Sequence, residues 1–183
     1  NLKNRPISPY GFSKYINEKY ANFFSTTYGL QTTGLRYFNV FGKRQNAMGG
    51  YAAVVPKWID SLINYNQVRI YGDGEATRDY CCVMNIVEAN VLSCFSDDTS
   101  IKDNIYNISQ GHNISLIELY KILKEIMTPL INTDKTEIMF LEPRLGDIKH
   151  SYADITKAKN HLNFTPKHDF KEGLLTTIKW HLK

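Results

Sequence analysis

A chain of 183 residues, 43% hydrophobic and 13% aromatic, has the size and apolar content to bury the core of one domain with a smaller lobe beside it. Its net charge of +4 comes from basic residues scattered along the chain rather than gathered into an aromatic-interleaved stripe. That argues against nucleic acid as a partner, and no apolar run approaches the roughly 18 residues that a membrane span needs. Cys81, Cys82 and Cys94 suggest neither a disulfide framework nor a thiolate metal site, and the five histidines lack metal-ligand spacing. A reducing cytoplasm and no metal are therefore expected. The sequence starts at Asn1 with no signal peptide before its first helix, as a processed product or a piece of a longer polypeptide would.

In chain order, Ser8 is a candidate N-cap and Pro9 fits the first helical position. Phe12, Ile16, Tyr20, Phe23, Phe24 and Tyr28 then recur at helical spacing up to a natural C-cap at Gly29. Residues 32–41 are β-branched and aromatic and read as one strand, closed by Gly42 and a polar loop. Gly49-Gly50 reads as a turn, a helix follows Pro56, and Val68 to Tyr71 is a short strand ended by the turn Gly72-Asp73-Gly74. Asp79 to Val83 is a further strand, on which Cys81 and Cys82 would face opposite sides, and Asn85 to Phe95 is helical. Asn104 to Ile108 is a strand, Ser115 to Glu118 has the spacing of a capping box, and Glu137 to Leu141 is the last strand. Two helices finish the chain, from about Asp154 and from Asp169. The alternation gives an α/β fold, although opening on a helix is unusual for a doubly wound sheet. No Gly-x-Gly-x-x-Gly turn is present.

Tyr10 and Lys14 are four apart, on one face of the first two helical turns. A tyrosine titrates near ~10, and an adjacent ammonium favours the phenolate, which would make Tyr10 a general acid or base toward a substrate hydroxyl. The same spacing also suits an ordinary solvated helix face.

Four segments in order extend that pair: Tyr10-x-x-x-Lys14; Leu35 to Gly42; Tyr71-Gly72-Asp73-Gly74 with Thr77-Arg78-Asp79-Tyr80; and Pro143-Arg144-Leu145-Gly146-Asp147. Together they resemble the extended short-chain dehydrogenase/reductase family, specifically its NAD-dependent UDP-sugar 4-epimerases. The likeness covers nearly the whole chain but only the second half of such enzymes. The family's glycine-rich turn and catalytic serine or threonine would precede Asn1. It implies the C-terminal half of a Rossmann-type parallel-sheet domain plus a smaller α/β substrate-binding lobe. Residues 1–48 would be Rossmann, and residues 49–183 mostly the UDP-sugar lobe, with 79–110 returning to the Rossmann domain.

The resemblance also implies roles. Tyr10 would be the acid/base on the sugar 4-hydroxyl, and Lys14 would lower its pKa and hydrogen-bond the nicotinamide ribose of NAD. Tyr37 and Phe38 would lie by the nicotinamide, and Asn39 would hydrogen-bond the UDP-sugar. Arg78 and Arg144 would hold the pyrophosphate, as planar guanidinium groups can. Asp147 would accept from the nucleoside's ribose, while Tyr71, Ala53 and Val54 would line the uridine and sugar. Members restricted to UDP-glucose and UDP-galactose carry tyrosine where this chain has Ser151, so a hydroxymethyl there would leave room for an acetamido group. The stretch Gly50 to Trp58 likewise resembles the subgroup acting on UDP-N-acetylglucosamine. A dehydratase or decarboxylase of the same family, or a nucleotide-sugar-binding module without redox activity, are the alternatives. The 183-residue piece alone would be inactive. In the family the first helix joins a helical bundle between two subunits, which implies a homodimer and a tendency of the isolated chain to associate.

Overall fold

The computed structural model describes residues 6, 8–48, 52–96, 101–102, 104–133, 135–144 and 146–183. The Gly49-Gly50 turn, Tyr51 and Leu145 lie outside the described residues. Six helices and seven strands alternate among them in an α/β arrangement with parallel pairings.

Local chemistry sets the helix ends. Helix α1 (Pro9–Tyr28) starts where the Ser8 Oγ accepts from the Gly11 N–H at 3.0 Å and stops at Gly29, whose φ of 67° is the left-handed cap conformation. Nothing in α1 is buried: its aromatics repeat at helical spacing, yet Tyr20, Phe23 and Tyr28 are all exposed. A bidentate ion pair, Arg36 Nε and Nη2 to the Glu18 carboxylate at 2.6 and 2.8 Å, ties the helix to the following strand.

The single strand expected over 32–41 is two, β1 (Thr33–Tyr37) and β2 (Asn39–Phe41), because the chain changes partner at Phe38. β1 runs parallel to β5 (Asn104–Ile108), ending at the Tyr37–Ile108 pair, and the Phe38 N–H still donates to Ile108 at 3.2 Å. One residue later Asn39 is paired with Tyr80 of β4 (Thr77–Cys82). β4 itself serves two neighbours, β2 in parallel through its second half and the short β6 (Asn113–Ser115) antiparallel through its first. β3 (Val68–Tyr71) and β7 (Ile138–Leu141) form a separate parallel pair.

Helix α2 (Val54–Ile63) begins before Pro56 rather than after it, since a proline in the first turn forfeits no intrahelical hydrogen bond. Helix α3 (Val83–Cys94) follows β4 directly. Helix α4 (Leu116–Met127) opens on the full capping box: the Glu118 N–H donates to the Ser115 Oγ at 3.1 Å and the Ser115 N–H to the Glu118 carboxylate at 2.7 Å. Helices α5 (Thr156–Leu162) and α6 (Phe170–His181) complete the chain, the latter capped by the Asp169 carboxylate.

Two apolar clusters hold these elements. One packs α2, α4 and α6 on β3 and β4 through residues such as Ile59, Leu62, Leu123 and Leu174. The other joins α3, α5 and β5 around Ala89, Tyr106, Ile108 and Phe164, with Leu35 and Val40 against it. β4 runs between them: Cys82 belongs to the first cluster and Cys81 to the second, the opposite-face placement that a strand period requires. Asn85, fully buried, closes the seam. Its amide donates to Gln110 Oε1 and the His168 carbonyl at 3.0 and 2.9 Å, and its carbonyl accepts from the N–H groups of Lys167 and His168.

Candidate nucleotide-sugar site

A cleft of about 580 Å³ opens where β3 and β7 end, a size ordinary for small-molecule sites. Parallel strands leave such a crevice at their carboxyl ends. Five stretches far apart in sequence converge on it: Asn39 and Val40 of β2; residues 52–55 with Lys57 and Trp58 of α2; Arg69, Tyr71, Gly72 and Asp73 around the end of β3; Arg78 and Tyr80 of β4; and Pro143, Arg144 and 147–149 after β7.

Each wall has a local cause. On β3 the strand period buries Val68 and Ile70 in the core and turns Arg69 and Tyr71 outward to the cleft. The turn after Tyr71 needs glycine at Gly74, where φ is 80° and an added Cβ would stand 2.6 Å from Ile117. Beyond β7 the chain reverses through Gly146, φ 83°, with the Asp147 N–H donating to the Arg144 carbonyl at 3.3 Å, so Arg144 and Asp147 face the same opening. The first turn of α2 presents N–H groups of Val54 and Val55 that its cap, Ala53, has no side-chain acceptor to satisfy.

On β4, Arg78 is oriented by donating from Nη1 to the Thr77 carbonyl at 2.8 Å and to the Lys149 carbonyl at 3.4 Å. The strap 149–153 is fastened to the same strand: Thr77 N–H donates to Lys149, Ser151 N–H to Thr77, and Ala153 N–H to the Asp79 carboxylate at 3.2 Å. Asp79, fully buried on the face opposite Arg78, also accepts from the Ser109 hydroxyl at 2.6 Å. Tyr80 is buried beside Phe170, and burial pushes its phenol above the ordinary value.

Five cations, Lys57, Arg69, Arg78, Arg144 and Lys149, line the cleft against two carboxylates, Asp73 and Asp147. Arg144 lies over the Tyr71 ring, its Cζ 3.6 Å from the ring centroid. The Arg144 donors and then its charge, followed more distantly by Arg69 and Lys57, hold the Tyr71 phenol below its usual value. A cationic crevice with uncapped helical amides and two planar guanidinium groups is suited to a ligand carrying phosphates.

Of the sequence candidates, Asn39, Ala53, Val54, Tyr71, Arg78, Arg144 and Asp147 meet in this cleft. Tyr10, Lys14, Tyr37, Phe38 and Ser151 are not on its wall. Tyr10 is 71% exposed, with the Lys14 ammonium 5.4 Å from its ring centroid, so the two are neighbours on an open helix face. The Tyr37 hydroxyl donates to Asn90 Oδ1 of α3 at 2.9 Å. Ser151 sits two residues past Lys149, half-buried on the strap. Lys57, Arg69 and Lys149 escaped the sequence reading, although the alternation of Val68 to Tyr71 already put Arg69 on the side of Tyr71. Among the described residues no cluster of His, Cys, Asp or Glu is arranged to hold a metal, and no helix is long and apolar enough to cross a membrane.

Residues 1–109 match the NAD dependent epimerase/dehydratase family. The chain belongs to that family. A UDP-glucose 4-epimerase of Mycolicibacterium smegmatis is 32% identical over 176 residues, 96% of this chain and 53% of that protein. Among solved structures, the UDP-glucose 4-epimerase of Thermotoga maritima with UDP-glucose superposes with a TM-score of 0.89 at 39% identity, covering 97% of this chain and 54% of its own. The UDP-N-acetylglucosamine 4-epimerase of Methanobrevibacter ruminantium, in complex with UDP-N-acetylmuramic acid, gives 0.88 at 39% identity over 97% and 55%. The fold is thus the Rossmann-like α/β fold of these epimerases, and the chain spans about half the length of the relatives it matches.

Proposed function

We propose that the polypeptide carrying this chain interconverts UDP-sugars by NAD-dependent epimerisation at C4, acting on the UDP-N-acetylglucosamine/UDP-N-acetylgalactosamine pair. The observation that carries the reading is the convergence of Arg78, Arg144, Asn39 and Asp147 in one cationic cleft from strands and turns more than 100 residues apart. A net excess of three cations there balances the two charges of a diphosphate with margin. Arg78 and Arg144 hold the two phosphates, Asp147 the ribose, and Asn39 the sugar end, which lies where β2 meets β4.

NAD fits the residues present in part. Lys14 offers an exposed ammonium beside Tyr10, suited to ribose hydroxyls, while the described residues contain no glycine-rich cradle for the dinucleotide's phosphates. When bound, NAD supplies a reversible hydride acceptor. Tyr10 exchanges the proton of the sugar 4-hydroxyl, and Lys14 keeps the phenol oxygen competent to do so. In this reading residues 1–48 and 79–110 belong to the cofactor domain and the remainder of 49–183 to the sugar lobe. Ser151, on the strap beside the cleft, leaves space for the N-acetyl group. The exposed aromatics of α1 pair two copies into a homodimer.

A second reading, a nucleotide-sugar-binding module without redox activity, draws on the seven candidate residues that meet in the cleft while Tyr10 and Lys14 stand apart from it. Steady-state assays of the full-length protein on UDP-N-acetylglucosamine and UDP-glucose test the assignment, with Ser151→Tyr alongside. Turnover of the N-acetylated sugar that drops at least tenfold in Ser151→Tyr while UDP-glucose turnover holds is expected. Equal effects on both sugars contradict the role given to Ser151, and binding without turnover of either leaves the module.

A further inference from the structure

Arg144 is held in an unusual way for a residue facing solvent. Among the described residues no carboxylate forms an ion pair with it; what lies against its guanidinium is the face of Tyr71. The stack follows from strand register. Tyr71 pairs with Leu141, the Gly72 N–H donates to Leu141 at 2.8 Å, and three residues later the chain returns Arg144 over the ring. A guanidinium placed over a ring face has five N–H donors, more than the ring's phenol can engage, and the remainder can be accepted by oxygens of a ligand in the cleft.

We infer that Tyr71 is a positioning residue, its ring serving as the platform that orients Arg144 toward the diphosphate of the ligand. The inference rests on the proposed reading of the cleft as a nucleotide-sugar site. It assigns the Tyr71 side chain a task distinct from lining the uridine: it acts through Arg144. An arginine on a flexible stem loses rotamer freedom when it binds, and a pre-formed stack removes part of that loss before the ligand arrives.

The test is calorimetric titration of the full-length protein with UDP, in a double-mutant cycle. Tyr71→Phe keeps the ring and should bind within twofold of the parent. Tyr71→Ile keeps strand propensity, loses the platform, and should weaken UDP binding by about three- to thirty-fold, the range expected of a guanidinium–aromatic stack. In an Arg144→Met background the same Tyr71→Ile change should cost less than twofold, because the group it positions is gone. Arg144→Lys, at an exposed turn that does not hold β3 together, retains the charge without the planar stack and should lose as much affinity as Tyr71→Ile. Fully additive effects in the cycle, or an Arg144→Lys protein that binds like the parent, overturn the inference. A parent protein that binds no UDP overturns instead the functional reading on which it stands.

Discussion

Asp79 is the residue whose removal should register most clearly in both stability and the site. Its carboxylate is fully buried and accepts from the Ser109 hydroxyl at 2.6 Å and the Ala153 N–H at 3.2 Å, with no ion pair among the described residues. Hydrogen bonds to a charged group are worth about 1.5–3 kcal/mol each. Asp79→Ala loses both, but the two losses are unequal. Ser109 can turn to the Asp79 carbonyl, already 3.4 Å from its oxygen, whereas the Ala153 amide is left buried without an acceptor. Removing a buried charge returns part of its desolvation cost. The net expectation is a loss of about 2–4 kcal/mol for Asp79→Ala and about 1–3 for Asp79→Asn, whose amide can still accept from one donor. Urea denaturation at unchanged m measures this, and hydrogen exchange at the Ala153 amide reports the strap directly. An Asp79→Ala protein within 0.5 kcal/mol of the parent, on the order of the scatter for neutral surface changes, with Ala153 still protected, refutes the anchoring role.

Other consequences follow from the same contacts. Arg78→Met should weaken UDP binding about ten- to a hundred-fold, by analogy with other charge-assisted pairs, and flatten its salt dependence in titrations at two ionic strengths. Ser115→Ala should cost about 1 kcal/mol of stability by removing the N-cap of α4. Glu118 in that cap is held below its ordinary carboxylate value by the Ser115 N–H, so its contribution is complete above the ordinary value and is lost as pH falls through the lowered one. Acid-side stability curves of Glu118→Gln should lose that portion of the pH dependence. Burial pushes the Cys81 thiol up to about 12, so at pH 8 alkylation should reach the exposed Cys94 and spare Cys81 until the protein unfolds, as peptide mass mapping would show.

Much of the fold was legible because its signals are local. Ser8 with Pro9, Gly29, the Ser115–Glu118 box and the strands at Val68 and Asn104 all lie where the sequence puts them, since caps and short-range periodicity depend on immediate neighbours. The break between β1 and β2 was invisible for the opposite reason: residues 32–41 are uniformly strand-like, and only the positions of β5 and β4 decide that Phe38 is where the partner changes. β6 is three residues, two of them polar, and exists because β4 offers an edge there. The aromatics of α1 had helical spacing, but spacing shows which residues share a face and not what covers it. Ordered motifs contain five of the candidate residues that meet in the cleft, Asn39, Tyr71, Arg78, Arg144 and Asp147. The motifs could not bring Lys57, Arg69 or Lys149, which lie between or outside them and join the site through tertiary proximity alone.

The most direct measurement is the fate of C4. Proton NMR of UDP-N-acetylglucosamine incubated with the full-length protein and NAD should show the H4 coupling pattern of the galacto epimer growing to an equilibrium mixture, with no change in the carbon skeleton. In Tyr10→Phe the rate should fall by about a hundredfold or more, the loss expected when a general acid/base is removed. A 4-keto-6-deoxy product, or a Tyr10→Phe enzyme as fast as the parent, would contradict the account.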